Sequence, residues 1–261
     1  MENFIRSAGK RDLLPLILLC LGLAASEQAV AADDFESSVD VRDARRLQQG
    51  TFFYRDLDSG KEVGTASITV RRIPDSGDYR FSNDAAVSAD FSGFHSQRWQ
   101  ATASASFAPV SATLEFVGEN QSSPVFELHY EGRHVRGFVV ERKASVPPAK
   151  RSVDDPILEN TVDQRIDWAA AISGSLKAGR ESEFSVYDPG TGVSRVLARV
   201  GLPETIKTPA GVFPAIRISY EVEKRGKVER YVVFTTRRAP RVLIREDFPN
   251  GVVTELVRVA E

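Results

Sequence analysis

The sequence predicts an all-β protein whose strands pair antiparallel into a sandwich or a barrel. Strand-like segments recur at short intervals between turn residues such as Asp58-Ser59-Gly60 and Pro249-Asn250-Gly251. In residues 213–222, apolar and polar side chains alternate, which is the pattern of a strand with one buried face. Beyond the leader, helical spacing is convincing only in residues 162–176. Regularly spaced strands without intervening helices are typical of antiparallel sandwiches and barrels.

Residues 1–31 have the three parts of a secretory signal peptide. Basic residues come first, an apolar run follows at 13–25, and Ala29-Val30-Ala31 places small residues where a signal peptidase cleaves. The alternative is a membrane-spanning helix, but such a helix needs about 20 apolar residues, and the run at 13–25 is shorter than that. We therefore expect cleavage before Ala32, export to the periplasm or secretion, and no span in the mature chain. Cys20 is not preceded by a small residue, so we expect no attached lipid.

The composition after the leader excludes few functions. Of the 34 Lys and Arg residues and the 36 Asp and Glu residues, the leader holds three of each, so the net charge stays at −2. A balance this close to zero gives no reason to expect nucleic acid as a partner. The one cysteine lies in the leader. A chain of this size buries a sizeable core without disulfides and need not be split into two domains.

The mature chain is predicted to begin with a loose arm at 32–49, or a short helix around 41–47, followed by a single β domain at 50–261. Val146-Pro147-Pro148 and Asp155-Pro156 predict a long surface loop at 144–160, with a domain linker as the alternative. The helix at 162–176 follows this loop. The predicted strands are 51–57, 64–73, 79–91, 95–106, 110–117, 125–130, 135–141, 181–187, 193–202, 213–223, 228–235, 241–247 and 252–259.

A tight turn at 205–213 joins two of these strands. Pro209 suits a turn because its φ is fixed and it has no N–H to give to a sheet. Gly211 can adopt a positive φ, which some turn types require. Phe213 begins the next strand, in which Ile216 to Val222 alternate with polar residues. We expect Pro209, Gly211 and Phe213 to act as a structural turn.

Few residues suggest chemistry. Glu127, His129 and Glu131 share one strand face and His134 follows the next turn, so a metal site is conceivable, but the polar face of a hairpin is the preferred interpretation. No acid–base pair can be nominated, because Asp and Glu are scattered over every strand. The sequence therefore predicts no catalytic residue, no metal and no cofactor. Four arginines, Arg237, Arg238, Arg241 and Arg245, are expected at a solvated edge, with binding of an anionic head group as the alternative.

Several short motifs occur together between residues 99 and 259: Asp155-Pro156 before the helix, Leu176-Lys177-Ala178-Gly179 after it, Val186-Tyr187-Asp188, Thr208-Pro209-Ala210-Gly211-Val212-Phe213 and the strand pair 241–247 and 252–259, with Trp99, Tyr130, Gly132 and Gly137 in the first half. In these motifs the chain resembles a family of secreted bacterial proteins of unknown function, the DUF 3108 type. It departs from the family pattern at 231–234, where a Trp is frequent and this chain has Tyr-Val-Val-Phe.

The resemblance implies a periplasmic β protein whose sheet curls into an open barrel or β-spiral with one helix packed on or in it, and it transfers no catalytic residue. We expect the sheet to curl around the helix at 162–176, with a partly open cavity as the alternative. The leading hypothesis is a non-catalytic protein that binds an apolar ligand or an envelope component, related to lipids or lipoproteins. A structural role in envelope integrity through protein contacts is the alternative, and a hydrolase or a metal-dependent enzyme is the third. The ligand-binding candidates are Trp99 and the three large apolar residues of the helix, Ile166, Trp168 and Ile172.

Overall fold

The computed structural model describes residues 42–86, 94–118, 122–143, 146–224 and 226–260, so the expected signal peptide and the arm up to residue 41 lie outside the described residues. The strands are β1 (Gly50–Asp58), β2 (Lys61–Arg72), β3 (Tyr79–Ala86), β4 (Phe94–Ala103), β5 (Pro109–Gly118), β6 (Ser122–Glu131), β7 (His134–Lys143), β8 (Val146–Pro156), β9 (Thr161–Asp163), β10 (Glu181–Asp188), β11 (Gly192–Thr208), β12 (Gly211–Lys224), β13 (Lys227–Thr236), β14 (Leu243–Asp247) and β15 (Val252–Val259). The helix α1 spans Asp167–Ser173 and follows a 3-10 turn at Gln164–Ile166.

The strands of the described residues form one sheet that does not close. Its order runs from β8 to β1 and then from β15 to β9. Neighbouring strands pair antiparallel, except for the short parallel pair of β9 and β10. The sheet therefore ends at β8 and β9, and the predicted all-β, antiparallel, open-barrel class is confirmed.

Alternating side chains give the sheet an apolar inner face. In β12, Ile216, Ile218, Tyr220 and Val222 are buried in the core, as the alternation predicted. The same face of β1 contributes Tyr54 to that core. Burial of apolar surface stabilises by about 25 cal/mol per Å², so the register of each strand is fixed by which set of side chains it turns inward.

The sheet curls until strands distant in its order meet. The Tyr130 hydroxyl of β6 donates to Asp163 of β9 over 2.6 Å, and the Tyr187 hydroxyl of β10 donates to Asp155 of β8 over 2.6 Å. The two ends of the sheet are therefore joined through side chains rather than through a backbone ladder. We call this junction the seam. No helix in the described ranges is long and apolar enough to cross a bilayer.

The expected loop at 144–160 is wrong over most of its length, because Val146–Pro156 form β8. Pro147 and Pro148 cost little there, since β8 is an edge strand and pairs on one side only, with β7. The arm expected at 32–49 is also not loose at its end. Ala44 and Leu47 are buried, and Ala44–Arg46 form one 3-10 turn, close to the short helix that was the alternative.

The helix is shorter than the predicted 162–176. Val162 lies in β9 and pairs with Val186, which is a contact that the local sequence does not reveal. The Asp163 side chain then accepts the backbone N–H of Arg165 over 2.9 Å and begins the 3-10 turn. The helix ends before Gly174, so only Asp167–Ser173 are α-helical.

Candidate functional site

The helix fills the inside of the curled sheet. All seven residues of α1 are buried, and Ile166, just before it, is 0% exposed. Ile172 is 0% exposed and Trp168 is 7% exposed. Trp99, on β4, is only partly buried and packs against the same core. The structure thus brings the four ligand-binding candidates of the sequence into one packed core, in which α1 is a plug.

Two arginines hold the end of the plug. The last carbonyls of a helix have no partner within the helix and need one when buried. Arg241 donates to the carbonyls of Ile172 and Gly174 over 2.7 and 2.5 Å, and Arg46 donates to the carbonyl of Ser173 over 3.1 Å. The expectation that Arg241 belongs to a solvated edge is wrong, because Arg241 is buried against α1.

A buried ion pair lies at the seam, just before the start of α1. The Arg165 guanidinium donates to both oxygens of Asp163 over 2.5 Å and to Asp188 over 2.8 Å. Asp163 is 0% exposed and also accepts the Tyr130 hydroxyl. The Arg165 guanidinium lies 4.5 Å from the ring centre of Phe126. These contacts fasten the start of the plug to β6 and β10.

Burial and charge act in opposite directions on Arg165. Burial favours the neutral form, but the Asp163 carboxylate beside it outweighs burial and raises the pKa of Arg165 above its ordinary value. Burial, followed by the Asp163 charge, raises the pKa of Tyr130 far above its ordinary value. Tyr130 therefore stays a neutral donor and Arg165 stays a cation at physiological pH.

A second polar cluster lies inside the sheet, at the start of α1. Glu246 of β14 accepts the Tyr220 hydroxyl over 3.0 Å, and Asp167 accepts the backbone N–H of Trp168 over 2.6 Å. Both carboxyl groups are 7% exposed. Burial, and then the negative charge of Asp167, raise the pKa of Glu246 from its ordinary 4.5 to about 8. Glu246 is thus held largely protonated at neutral pH.

A cleft of about 740 Å³ lies elsewhere, on the outer face of the sheet. The buried Tyr54 of β1 also lines the cleft, but its neighbour Phe53 projects to the opposite face of the strand. The register places Phe53, Ser67, Asp84 and Arg98 in one row across β1 to β4. All four line the cleft, which extends to Val257 of β15 at one end and to Val117 of β5 at the other.

Two bulges supply side chains to this cleft. The pairing of β1 with β15 shifts between Phe53 and Tyr54, which leaves Val257 without a partner in β1. The pairing of β4 with β5 shifts between Phe94 and Ser96, which leaves His95 without a partner in β5. A bulge adds one residue to a strand and re-aims its side chain, and bulges are frequent beside binding sites. Val257 and His95 both line the cleft.

The predicted turn at 205–213 reaches the cleft through Pro209. Thr208 pairs with Gly211, so Pro209 and Ala210 are the two loop residues, and Gly211 has a φ of +139°. The backbone N–H of Ala210 donates to the carbonyl of Leu256 over 3.3 Å, which ties the turn to β15. Pro209 lines the cleft, and Phe213 packs behind it in a small second core.

The residues of the conceivable metal site form an exposed row of polar contacts instead. His129 lies 3.2 Å from Glu127, and Glu131 pairs with Arg136. His134 lies 3.6 Å from Asp154. Within the described ranges, no group of three or more His, Cys, Asp or Glu side chains is arranged to hold a metal ion.

The sequence did not predict the seam, the buried carboxyl groups of Glu246 and Asp167, or the cleft. Only the seam had a local signal in the sequence, because Asp163 and Arg165 are opposite charges two residues apart inside the segment predicted to be helical. The cleft had none, since it depends on two bulges and on the register of six strands.

The fold has solved relatives of low identity. A β-barrel-like protein of a domain of unknown function, DUF1849, from Brucella abortus, superposes with a TM-score of 0.52 at 10% identity, over 82% of this chain and 98% of that chain. A candidate exported protein with a YmcC-like fold from Bacteroides fragilis gives 0.38 at 12% identity, over 82% and 97% of the two chains. A candidate lipoprotein from Parabacteroides distasonis gives 0.37 at 12% identity, over 85% and 100%. At these identities the likeness concerns the fold alone.

No curated protein matches the chain. Residues 50–257 match the family described as "Protein of unknown function (DUF3108)", which covers most of the chain and includes the sheet, the seam and the plug. The resemblance seen in the Pro209–Phe213 turn and its neighbouring motifs is confirmed. The chain therefore belongs to the DUF3108 family.

Proposed function

We propose that this protein is a non-catalytic protein of the periplasm that binds an apolar ligand or another component of the cell envelope on the outside of its sheet. The observation that carries the proposal is the buried plug. Ile166 and Ile172 are fully buried and Trp168 nearly so, and all three pack in the apolar core, which supports a filled interior rather than a carrier cavity. A ligand or partner would therefore meet the outer face.

The location rests on the leader. Residues 1–31 have the basic start, the apolar run and the small residues of a cleaved signal peptide. Export through this signal would place the mature chain in the periplasm. The proposal leaves out catalysis because the best candidates for proton exchange, Glu246 and Asp167, are buried inside the sheet and do not line the outer cleft.

A structural role through protein contacts is the second candidate, and one observation favours it. Leu202 and Val212, on the hairpin of β11 and β12, are 72% and 64% exposed. They lie apart on the hairpin, because Val212 pairs with Lys207, five residues from Leu202, so a partner would have to contact the hairpin along its length. In that role the hairpin would bind another envelope protein, and the plug would only stabilise the fold.

The experiment that tests the proposal is truncation of the plug. Trp168→Ala should lower the free energy of unfolding by about 3–5 kcal/mol, as for a large aromatic residue in a core. Trp99→Ala is the matched control, because Trp99 is only partly buried and its loss should be smaller. Both are measured by urea unfolding, and binding is measured with a fluorescent fatty-acyl probe.

We expect the wild-type protein to bind the probe saturably and Trp168→Ala to bind it with unchanged affinity. Tighter binding by Trp168→Ala, with only a small loss of stability, would show that the ligand enters the interior and that the helix is a lid. Absence of saturable binding by the wild-type protein would contradict ligand binding and favour the structural role.

A further inference from the structure

We propose that the outer cleft is the binding site and that it takes an amphiphile with one acyl chain and a zwitterionic head group. This inference rests on the proposed function and names its site and its ligand. It starts from the two bulges, which bring Val257 and His95 to opposite ends of one cleft.

The size of the cleft fits one acyl chain. Its volume of about 740 Å³ lies within the range of about 300–1,000 Å³ typical of sites that hold one small molecule. It crosses six strands from β15 to β5, and strands lie about 4.8 Å apart, so it is about 24 Å long. In a bilayer an acyl chain spans half of the hydrocarbon layer, which is about 30 Å thick, so the chain is about 15 Å long. The cleft is therefore long enough for one chain and a head group.

Apolar side chains line the cleft at its β15 end, where Phe53, Val257 and the turn residue Pro209 lie. Charged groups flank them, because Arg55 and Glu62 also line the cleft and the Arg258 guanidinium lies 3.5 Å from the ring centre of Phe53. A chain of methylene groups would lie against Phe53, Val257 and Pro209, whose side chains offer no hydrogen-bonding group.

The middle of the cleft carries both signs of charge. The Arg98 guanidinium donates to Asp84 over 3.0 Å and lies 3.6 Å from Glu115. Arg98 and Asp84 are about half exposed, so the pair is open to exchange with a ligand. A phosphate would meet Arg98 and an ammonium would meet Asp84, so both members of this pair would have a new partner. Glu115 would keep the hydrogen bond that it accepts from the Ser122 hydroxyl. A simple anion would neutralise Arg98 but leave Asp84 without its partner.

The test uses two threonines on the outer face, both exposed in the middle of a strand. Thr65 lines the cleft, and Thr113 of β5 does not. Tryptophan suits strands, so both Thr65→Trp and Thr113→Trp should fold, which melting midpoints check. The probe is 1-palmitoyl lysophosphatidylethanolamine below its micelle concentration, followed by titration calorimetry, with palmitate and monopalmitoylglycerol for comparison.

We expect one lysophosphatidylethanolamine per chain, an affinity loss of at least about tenfold in Thr65→Trp and a change within about twofold in Thr113→Trp. Arg98→Gln, which keeps the cleft open, should remove the preference for lysophosphatidylethanolamine over monopalmitoylglycerol. Equal affinities of Thr65→Trp and the wild-type protein would overturn the site. Palmitate binding as tightly as lysophosphatidylethanolamine would overturn the head-group class. In both cases binding itself, and the proposed function, would stand. Absence of binding to all three amphiphiles and to the fatty-acyl probe would remove both proposals.

Discussion

Glu246 should make the stability of this protein depend on pH, and Glu246→Gln should abolish that dependence. Glu246 is buried, accepts the Tyr220 hydroxyl and faces the negative charge of Asp167. Its pKa is about 8 in the folded protein, against an ordinary value of 4.5. The charges of Asp247 and Asp56 also raise the pKa of Glu246, by smaller amounts. The variant keeps an acceptor for Tyr220 but never ionises.

The direction of this pH dependence follows from the number of protons that the folded and the unfolded protein hold. Between pH 4.5 and about 8 the folded protein keeps the proton on Glu246 while the unfolded chain has lost it, so stability decreases as the pH rises. The contribution is fully present below pH 4.5 and is lost once the pH passes about 8. One pKa unit corresponds to about 1.4 kcal/mol. A shift of about 3.5 units therefore amounts to a loss on the order of 5 kcal/mol.

The assay is urea unfolding at one-unit intervals from pH 5 to pH 9. The wild-type protein should lose stability toward pH 8 and change little above it, whereas Glu246→Gln should be nearly flat and as stable as the wild-type protein at pH 5. Glu204→Gln, at an exposed position on β11, is the control and should keep the wild-type slope. An unchanged slope in Glu246→Gln would show that this carboxyl group is not held protonated by the fold.

Three further predictions concern the seam, a glycine and the N-terminus. Arg165→Ala should lower the free energy of unfolding in urea by about 3–5 kcal/mol, because it leaves the buried Asp163 without its cation. The control, Arg133→Ala at an exposed ion pair, should lower it by less than about 1 kcal/mol. Equal losses would mean that the ion pair at the seam does not stabilise the fold. Gly137→Ala should lower the free energy of unfolding by about 3 kcal/mol or more, because the added Cβ would lie 1.9 Å from the Glu127 carbonyl oxygen. The control, Gly132→Ala, has open space around the Cβ but a φ of +61°, and should lower it by about 1–2 kcal/mol. A reversed order of melting midpoints would contradict the register of β6 and β7. The mature protein from the envelope fraction should begin at Ala32 and carry no acyl group; an intact mass that fits a diacylated chain starting at Cys20 would overturn this.

The sheet was predictable where a local pattern determines it. The alternation in residues 213–222 gave β12 and its buried face, and the turn at Pro209 to Gly211 gave the hairpin. The segment Val146–Pro156 was misassigned because the cost of a proline depends on whether the strand lies at an edge, which is a property of the whole sheet.

The interior polar groups were not predictable for a related reason. Glu246 turns inward only because the pairing of β13 with β14 shifts between residues 243 and 245, which moves the next residue to the inner face. Without that bulge, simple alternation from the buried Leu243 would place Glu246 outside. The seam likewise joins Tyr130 to Asp163 across many strands of the sheet order.

Native-state hydrogen exchange of the α1 amides, with and without saturating lysophosphatidylethanolamine, tests the central claim most directly. If the helix is a permanent plug and binding occurs outside, the amides of Ala170 to Ser173 should exchange only through global unfolding. Their protection should then rise with ligand by the same amount as the global stability. Loss of α1 protection on binding would show that the ligand displaces the plug, and would contradict the account.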